Sequence, residues 1–137
     1  MFAIGRAARR FDGLASKTLA ADGLGFFEGL VLAAIYFEAP RQVKPSQLAE
    51  TFATTRSNVS HCVASLEAKG LLQRKIDPTD ARAYHLSLKP QGKKCALRVV
   101  SAFERLQRGF ERAVGKPAMS EMLQSIRQLE AAFPFQT

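Results

Sequence analysis

The sequence predicts a mainly helical α+β domain in which one β-hairpin interrupts a series of helices. Apolar residues recur every three or four positions before residue 70 and again after residue 90, which is the spacing of helices. Between these segments, residues 71–76 and 83–88 alternate well enough to form two strands. The chain has 137 residues, of which 47% are apolar, so we expect one domain with a substantial core.

The first two helices have different apolar patterns. In residues 2–21 one side is apolar, and the stripe consists of Ile4, Ala7, Phe11, Leu14 and Thr18. The next segment, FFEGLVLAAIYFEA, is apolar on almost every side, which is typical of a helix buried in the middle of a domain. Pro40 is expected to end this second helix, because proline cannot continue the backbone hydrogen bonding.

The next two helices are close in sequence and are separated by a tight turn. The first is predicted from Ser46 to Phe52. Thr55 is expected to cap the second by accepting a hydrogen bond from the backbone N–H of Ser57 or Asn58. Gly70 is expected to end it in a left-handed conformation. Together these features predict a helix-turn-helix.

The predicted strands follow this pair of helices directly and are joined by the turn sequence DPTDAR. A hairpin in this position is the wing of a winged helix-turn-helix. We therefore expect residues 25–89 to form the winged-helix lobe.

Helices are predicted again from Pro90 onward, with a break at residues 115–117. Their apolar stripes are longer than the core of a winged helix needs, so we expect N- and C-terminal helices, residues 1–24 and 90–137, to form a dimerisation region. The residues expected to pair two subunits are Phe103, Leu106, Phe110, Met122, Ile126, Leu129 and Phe133.

The charge and one polar helix face predict double-stranded DNA as a partner. The net charge is +8 and the pI is near 10.0. The face opposite the apolar stripe carries short polar side chains that can approach base edges, and it has no carboxylate before Glu67. The predicted DNA contacts are Thr55, Arg56, Ser57, Asn58, Ser60, His61 and Ser65 in the helix, with Arg74, Lys75 and Arg82 in the hairpin.

Two other hypotheses remain open at this point. A winged-helix protein-interaction module without specific DNA binding would also expose a polar helix face, and a basic nucleoid-type protein would bind DNA without sequence preference. An enzyme is not expected, because the chain has no glycine-rich phosphate loop or nucleophile elbow. We expect no cofactor and no metal, since His61 and His85 have no partner at metal-ligand spacing.

The two cysteines indicate a cytoplasmic protein rather than a disulfide scaffold, because they lie far apart without a CxxC motif or a secretory signal. No apolar run approaches the ~20 residues of a membrane-spanning helix. Cys62 is expected to pack as a small apolar side chain. Cys95 lies near Lys93, Lys94 and Arg98, which could lower the pKa of its thiol, so oxidant sensing is a less favoured alternative.

The segment LAETFATTRSNVSHCVASLEAKGLLQR and the hairpin turn after it resemble the MarR family of winged-helix transcriptional regulators. The similarity extends over nearly the whole chain and is most specific where Asp80 and Arg82 match the family's Pro-x-Asp-x-Arg wing signature. It implies a homodimer that binds a pseudo-palindromic operator as a repressor or activator. It also implies that Asp80 braces the wing by pairing with Arg82 or a nearby helix, and that Arg82 enters the minor groove.

The same resemblance implies a site for a small aromatic or phenolic ligand, whose binding would release the DNA. The seam between the dimerisation helices and the winged helix would hold it, and the aromatic residues that could line it are Phe11, Phe26, Phe27 and Tyr36. Aromatic side chains in such positions more often belong to the core, and that alternative is favoured.

Overall fold

The computed structural model describes residues 1–134, which form six α-helices and one two-stranded antiparallel sheet. The predicted mainly helical α+β class is confirmed. The last three residues of the predicted segment 90–137 lie outside the described residues. In chain order the elements are α1 (Phe2–Leu19), a 3₁₀ turn (Ala20–Asp22), α2 (Phe26–Glu38), α3 (Pro45–Thr51), α4 (Arg56–Ala68), β1 (Leu72–Ile76), β2 (Tyr84–Leu88), α5 (Pro90–Val114) and α6 (Lys116–Ala132).

Helix α2 lies at the centre of the fold, as its apolar composition predicted. Val31, Leu32 and Ile35 are buried, and the helix packs against α1, α4, α5 and β2. Burial of an aliphatic side chain of this size is worth roughly 1.5 to 3 kcal/mol relative to exposure. Because α2 contacts elements from both ends of the chain, its burial holds the helix-turn-helix and the long terminal helices together.

The caps of α4 follow the sequence pattern. Thr55 Oγ1 accepts a hydrogen bond from the backbone N–H of Asn58 at 3.1 Å, which confirms the predicted cap. Gly70 follows the helix with φ 72°, a left-handed conformation that a residue without Cβ adopts at little cost. The apolar residues on the inner side of α4, Val59, Val63 and Leu66, are fully buried.

The wing is an antiparallel pair in which Leu72 faces Leu88 and Ile76 faces Tyr84. The predicted strands each begin one residue too early but are otherwise confirmed. Val43, just before α3, forms an isolated bridge to Leu86 through hydrogen bonds in both directions. This bridge fixes the beginning of α3 beside the wing, a contact that the sequence pattern did not predict.

Helices α1, α5 and α6 come from the two ends of the chain, and α5 contacts both of the others as well as α2. Their outer faces are apolar and exposed. Within α6 only Met119 is buried, whereas its other large apolar side chains are 41 to 53% exposed, namely Met122, Leu123, Ile126 and Leu129. On α1, Phe11 is 47% exposed. A folded chain rarely leaves such a surface uncovered.

Two residues of the predicted dimerisation set already have partners within the chain. The Phe103 ring packs edge-on against Phe26 with 6.0 Å between the ring centroids, and the Phe110 ring lies 5.1 Å from that of Phe11. Leu123, by contrast, was missing from the predicted set although it is exposed on the same side of α6 as Met122 and Ile126. The repeat of three and four residues identifies an apolar face but not the surface that covers it.

Among residues 1–134, no helix taken singly has the length and apolar composition to cross a membrane; residues 2–22 and 26–38 meet both criteria only when counted together, and they are bent by 74°.

Candidate nucleic-acid interface

The N-terminal half of α4 presents a continuous polar surface. The predicted contact residues in this half of the helix are all exposed, namely Arg56, Ser57, Asn58, Ser60 and His61. Their backbones are held in place from the other side, where Val59 and Val63 are fully buried. A helix fixed in this way can present short side chains to the major groove without losing packing.

Two residues on this surface differ in how freely their side chains can reorient. The Asn58 side chain donates from Nδ2 to Thr54 Oγ1 at 2.9 Å, so it already has a local partner. His61 is exposed, and its side chain forms no hydrogen bond or ion pair within residues 1–134. His61 is therefore the better candidate for a direct contact with a base edge.

Ser65, the other predicted contact in α4, is half-buried and differs from these residues in its surroundings. Its Oγ donates to Glu28 Oε1 at 2.6 Å, which turns the side chain inward toward α2. Ser65 lies near the C-terminal end of α4, where that side of the helix packs against the start of α2 rather than facing solvent. Helical spacing alone placed it among polar residues, but the neighbouring helix determines its environment.

Three cations from three different elements line one open groove of about 330 Å³. Lys44 comes from the residue before α3, Arg56 from the first turn of α4, and Arg82 from the wing. Two hydroxyl groups, those of Ser46 and Ser60, lie in the same groove. Guanidinium, ammonium and hydroxyl groups are the donors that proteins use to bind phosphate oxygens.

Lys44 and Ser46 were not among the DNA contacts predicted from the sequence. Their position beside the wing depends on the bridge between Val43 and Leu86. That bridge forms between residues more than forty positions apart, so no local pattern reveals it. It brings the beginning of α3 to the wing, and with it the Lys44 side chain.

The wing loop is braced mainly by Asp77. Asp77 Oδ1 accepts hydrogen bonds from the backbone N–H and the Oγ1 of Thr79, at 2.8 and 2.6 Å, while Oδ2 lies 2.9 Å from His85 Nε2. Hydrogen bonds from Thr79 and His85 keep the pKa of Asp77 well below its usual range. Asp80 contributes by accepting a bond from the backbone N–H of Arg82 at 3.0 Å.

The predicted pairing of Asp80 with Arg82 therefore involves the backbone and not the guanidinium. Within residues 1–134 the guanidinium of Arg82 forms no ion pair, and it remains available to a phosphate. A side-chain pair would have been expected from charge alone, but the short aspartate bonds more readily to an amide two residues away, as in a local turn.

Comparison with known proteins agrees with this arrangement. Residues 22–83, which include the helix-turn-helix and most of the wing, match the family model described as MarR family. This part of the chain is similar to the MarR family. The comparison with curated protein sequences gave no match.

Solved structures with the same fold cover almost the whole chain. MepR from S. aureus, solved in a complex with DNA, has 17% identity and a TM-score of 0.89, with 96% of each chain covered. The transcriptional regulator BldR from Sulfolobus solfataricus has 22% identity and a TM-score of 0.84, covering 97% of this chain and 93% of its own. The transcriptional regulator SlyA has 16% identity and a TM-score of 0.84, covering 94% and 89%. At these identities the structures show a shared fold.

The other predicted cations of the wing, Arg74 and Lys75, lie in different surroundings. Arg74 Nε contacts Glu67 Oε2 at 3.0 Å, and its guanidinium lies 5.0 Å from the centroid of the Tyr84 ring. Lys75 lines a different cavity of about 670 Å³, together with Arg41 and Lys93. The structure thus brings Arg82 and Arg56 into one groove, whereas Lys75 lines a different cavity and Arg74 lies over Tyr84 at the edge of the groove.

The four aromatic residues proposed for a ligand site are not gathered in one pocket. Phe26 packs against Phe103 and Phe11 against Phe110, while the Phe27 ring lies 5.7 Å from that of Phe52. The fourth candidate pairs with the ring of its neighbour, so that Tyr36 and Phe37 are also 5.7 Å apart. Aromatic pairs of this geometry stabilise the fold through ring contacts, and a ligand site at these residues stays a prediction.

Both cysteines are buried, and neither thiol lies in surroundings that lower its pKa. Burial, reinforced by the charge of Glu28, raises the pKa of Cys62 to about 12. The pKa of Cys95 is also raised, first by burial and then by the charge of Asp22. The less favoured alternative, oxidant sensing through Cys95, gains no support, because loss of hydration raises the pKa of this thiol more than the charge of Arg98 lowers it.

Proposed function

We propose that this chain is a MarR-family, sequence-specific DNA-binding transcriptional regulator, with α4 as its recognition helix, that acts as a homodimer on a pseudo-palindromic operator. The exposed half of α4 contacts base edges in the major groove, and the wing with Arg82 contacts the adjacent backbone and minor groove. MepR has been solved in a complex with DNA, and BldR and SlyA are transcriptional regulators. These relatives favour a regulator over an enzyme.

The observation that carries the proposal is the groove formed by Lys44, Arg56 and Arg82. Cations from three separate elements converge there beside a polar helix face, although their mutual repulsion disfavours that convergence without an anionic partner. A nucleic acid backbone supplies that partner and explains why the helix and the wing lie next to each other. A protein-interaction module would need an acidic partner to stabilise the same convergence, and the structure of MepR in a complex with DNA favours nucleic acid as the anion.

The homodimer is proposed from the apolar faces of the terminal helices. Ile126 and Leu129 of α6, together with Phe11 of α1, lie on surfaces that residues 1–134 leave partly exposed. A second copy of the same chain presents the same faces, which suits a two-fold interface. The pairing would place two recognition helices against half-sites about one helical turn, ~34 Å, apart.

The direct test is selection of bound sequences from a random DNA pool by the full-length protein. We expect an enriched sequence with two inverted half-sites, because two identical subunits contact the DNA through the same helix. Strong binding without any enriched sequence would instead identify a non-specific nucleoid-type protein. Absence of binding at low salt would favour the protein-interaction module.

Replacement of His61 by alanine is expected to reduce sequence preference more than total affinity. Removal of a base contact costs roughly 1 to 3 kcal/mol of discrimination, whereas the phosphate contacts remain. Titration of the selected operator and of random DNA measures both quantities. Ser101→Ala, at an exposed position of α5, serves as the control and should change neither sequence preference nor total affinity. Equal losses on the two DNAs would remove His61 from base recognition.

Replacement of Arg82 by alanine is expected to weaken binding to all DNA and to reduce its salt dependence. Removal of one phosphate contact changes the slope of log affinity against log salt by roughly 0.9. Arg108→Ala is the matched control, because Arg108 is an exposed cation on α5 whose only ion pair in the described residues, to Glu104, is long at 3.9 Å. If both variants had the same slope as the parent, the wing would not contact phosphate.

A further inference from the structure

A network of hydrogen bonds joins the start of α2 to the C-terminal half of α4, with the Glu28 carboxylate at its centre. Glu28 Oε1 accepts from Ser65 Oγ at 2.6 Å and from Lys69 Nζ at 2.8 Å. Oε2 accepts from Lys69 Nζ at 2.7 Å and from the backbone N–H of Gly25 at 2.9 Å. Lys69 Nζ also donates to the Gly23 carbonyl at 2.8 Å. The Lys69 ammonium group, at the end of α4, thus bonds both to α2 and to the segment that precedes α2.

The segment involved, residues 22–28, comprises the junction between α1 and α2 and the first turn of α2, and it is held from a second side. Arg98 Nε of α5 contacts Asp22 Oδ1 at 2.7 Å. The junction is therefore bonded to α5, one of the proposed dimerisation helices, through Asp22, and to the recognition helix through Glu28. Few other polar side-chain contacts link distant elements in the described part of the chain.

The contact between Glu28 and Lys69 differs from an ordinary surface ion pair. The Glu28 side chain is only 14% exposed, and both of its oxygens are bonded. Burial by itself raises the pKa of this carboxyl, but the hydrogen bonds from Lys69, Ser65 and Gly25 together lower it below the usual value. Glu28 therefore stays ionised at neutral pH, and its geometry is fixed by several donors at once.

We propose that Glu28 is a positioning residue that fixes the orientation of α4 relative to the dimerisation helices and thereby the separation of the two recognition helices on an operator. Glu28 itself does not contact DNA; it acts through Lys69 and Ser65. The inference deepens the proposed function and rests on it, because helix separation matters only for a dimer on two half-sites.

The orientation can be measured without DNA and without dimerisation. Nitroxide labels on Ser57→Cys in α4 and Ser101→Cys in α5 report an intramolecular distance by pulsed electron resonance, with labelled protein diluted in unlabelled protein. Cys62 and Cys95 are buried and are not expected to react with the label in the folded chain. We expect a narrow distance distribution in the parent and a broader or displaced one in Lys69→Met and Glu28→Gln.

Two further variants make the distance measurement specific. Lys69→Arg keeps a cation that can bond the carboxylate and should keep the narrow distribution. Arg108→Met removes one exposed cation from α5 and should also leave it unchanged. Circular dichroism and thermal unfolding establish that each variant is folded, and Glu28→Gln supplies the result if Lys69→Met does not fold. A distribution as narrow in the folded variants as in the parent would overturn the proposal.

Operators with altered spacing provide the functional test. Removing the contact should reduce the preference for the selected half-site spacing over a spacing changed by one base pair by roughly five- to tenfold, with less than about twofold change on a single half-site. Equal losses on single and paired half-sites would contradict a positioning role. If the parent itself selects no DNA sequence, the proposed function fails, while the distance measurement still decides the role of Glu28.

Discussion

Ile126→Asp with Leu129→Asp is expected to convert the protein into a monomer and to abolish tight operator binding. Both side chains lie on the exposed apolar face of α6, and neither is needed for the core of the single chain. Placing carboxylates in a subunit interface removes apolar contact and requires unpaired charges to be buried. The loss of the second recognition helix should then lower operator affinity by about 10² to 10⁴.

The matched control for this prediction lies on the same helix. Gln124→Asp with Gln128→Asp adds the same two charges to exposed positions that are offset from the apolar face by about half a turn. This variant should stay dimeric. Sedimentation at micromolar concentration measures the oligomeric state, and titration of the selected operator measures binding. A double variant of Ile126 and Leu129 that remains a dimer would place the interface elsewhere.

Gly92→Ala is expected to destabilise the fold by about 2 to 4 kcal/mol, which is large for the addition of one methyl group. Gly92 is buried in the first turn of α5, where a Cβ would overlap the backbone carbonyl of Leu71. The same carbonyl accepts a hydrogen bond from the backbone N–H of Lys89 at 3.0 Å. Because backbone atoms lie on both sides, relief requires movement of the wing relative to α5.

Chemical denaturation measures this effect, and Gly109→Ala is its control on the same helix. A Cβ at Gly109 meets nothing within 4 Å, so alanine there should be neutral or stabilise the helix by up to ~1 kcal/mol. A folded Gly92→Ala variant should also bind DNA less tightly, since the wing carries Arg82. Equal stability of the two variants would show that the contact at Leu71 relaxes at no cost.

Local features of the fold could be predicted from the sequence alone. The helix cap at Thr55, the left-handed end at Gly70, the two strands and the break near Gly115 follow from residue types at fixed spacings, because the interactions involved span only a few residues. The polar half of α4 was predicted for the same reason. Spacing of three and four residues determines which side chains share a helix face.

The partners of individual side chains were decided only by the tertiary structure. Ser65 lies on a helix whose polar residues were expected to face outward, but the start of α2 packs beside it and supplies Glu28 as a hydrogen-bond acceptor. Phe103 belongs to an apolar stripe expected at a subunit interface, but Phe26 covers it within the chain. In both cases the environment is set by a residue distant in sequence.

The candidate interface likewise combines residues that the sequence predicts with one that only the tertiary structure reveals. Arg56 and Arg82 could be identified from the recognition helix and the wing signature, whereas Lys44 joins them only because Val43 pairs with Leu86 across the edge of the sheet. Helix periodicity and capping depend on interactions between residues that are close in sequence. They can therefore be predicted from the sequence directly. Convergence of charges depends on how separate elements pack, and that packing is determined by the whole core at once.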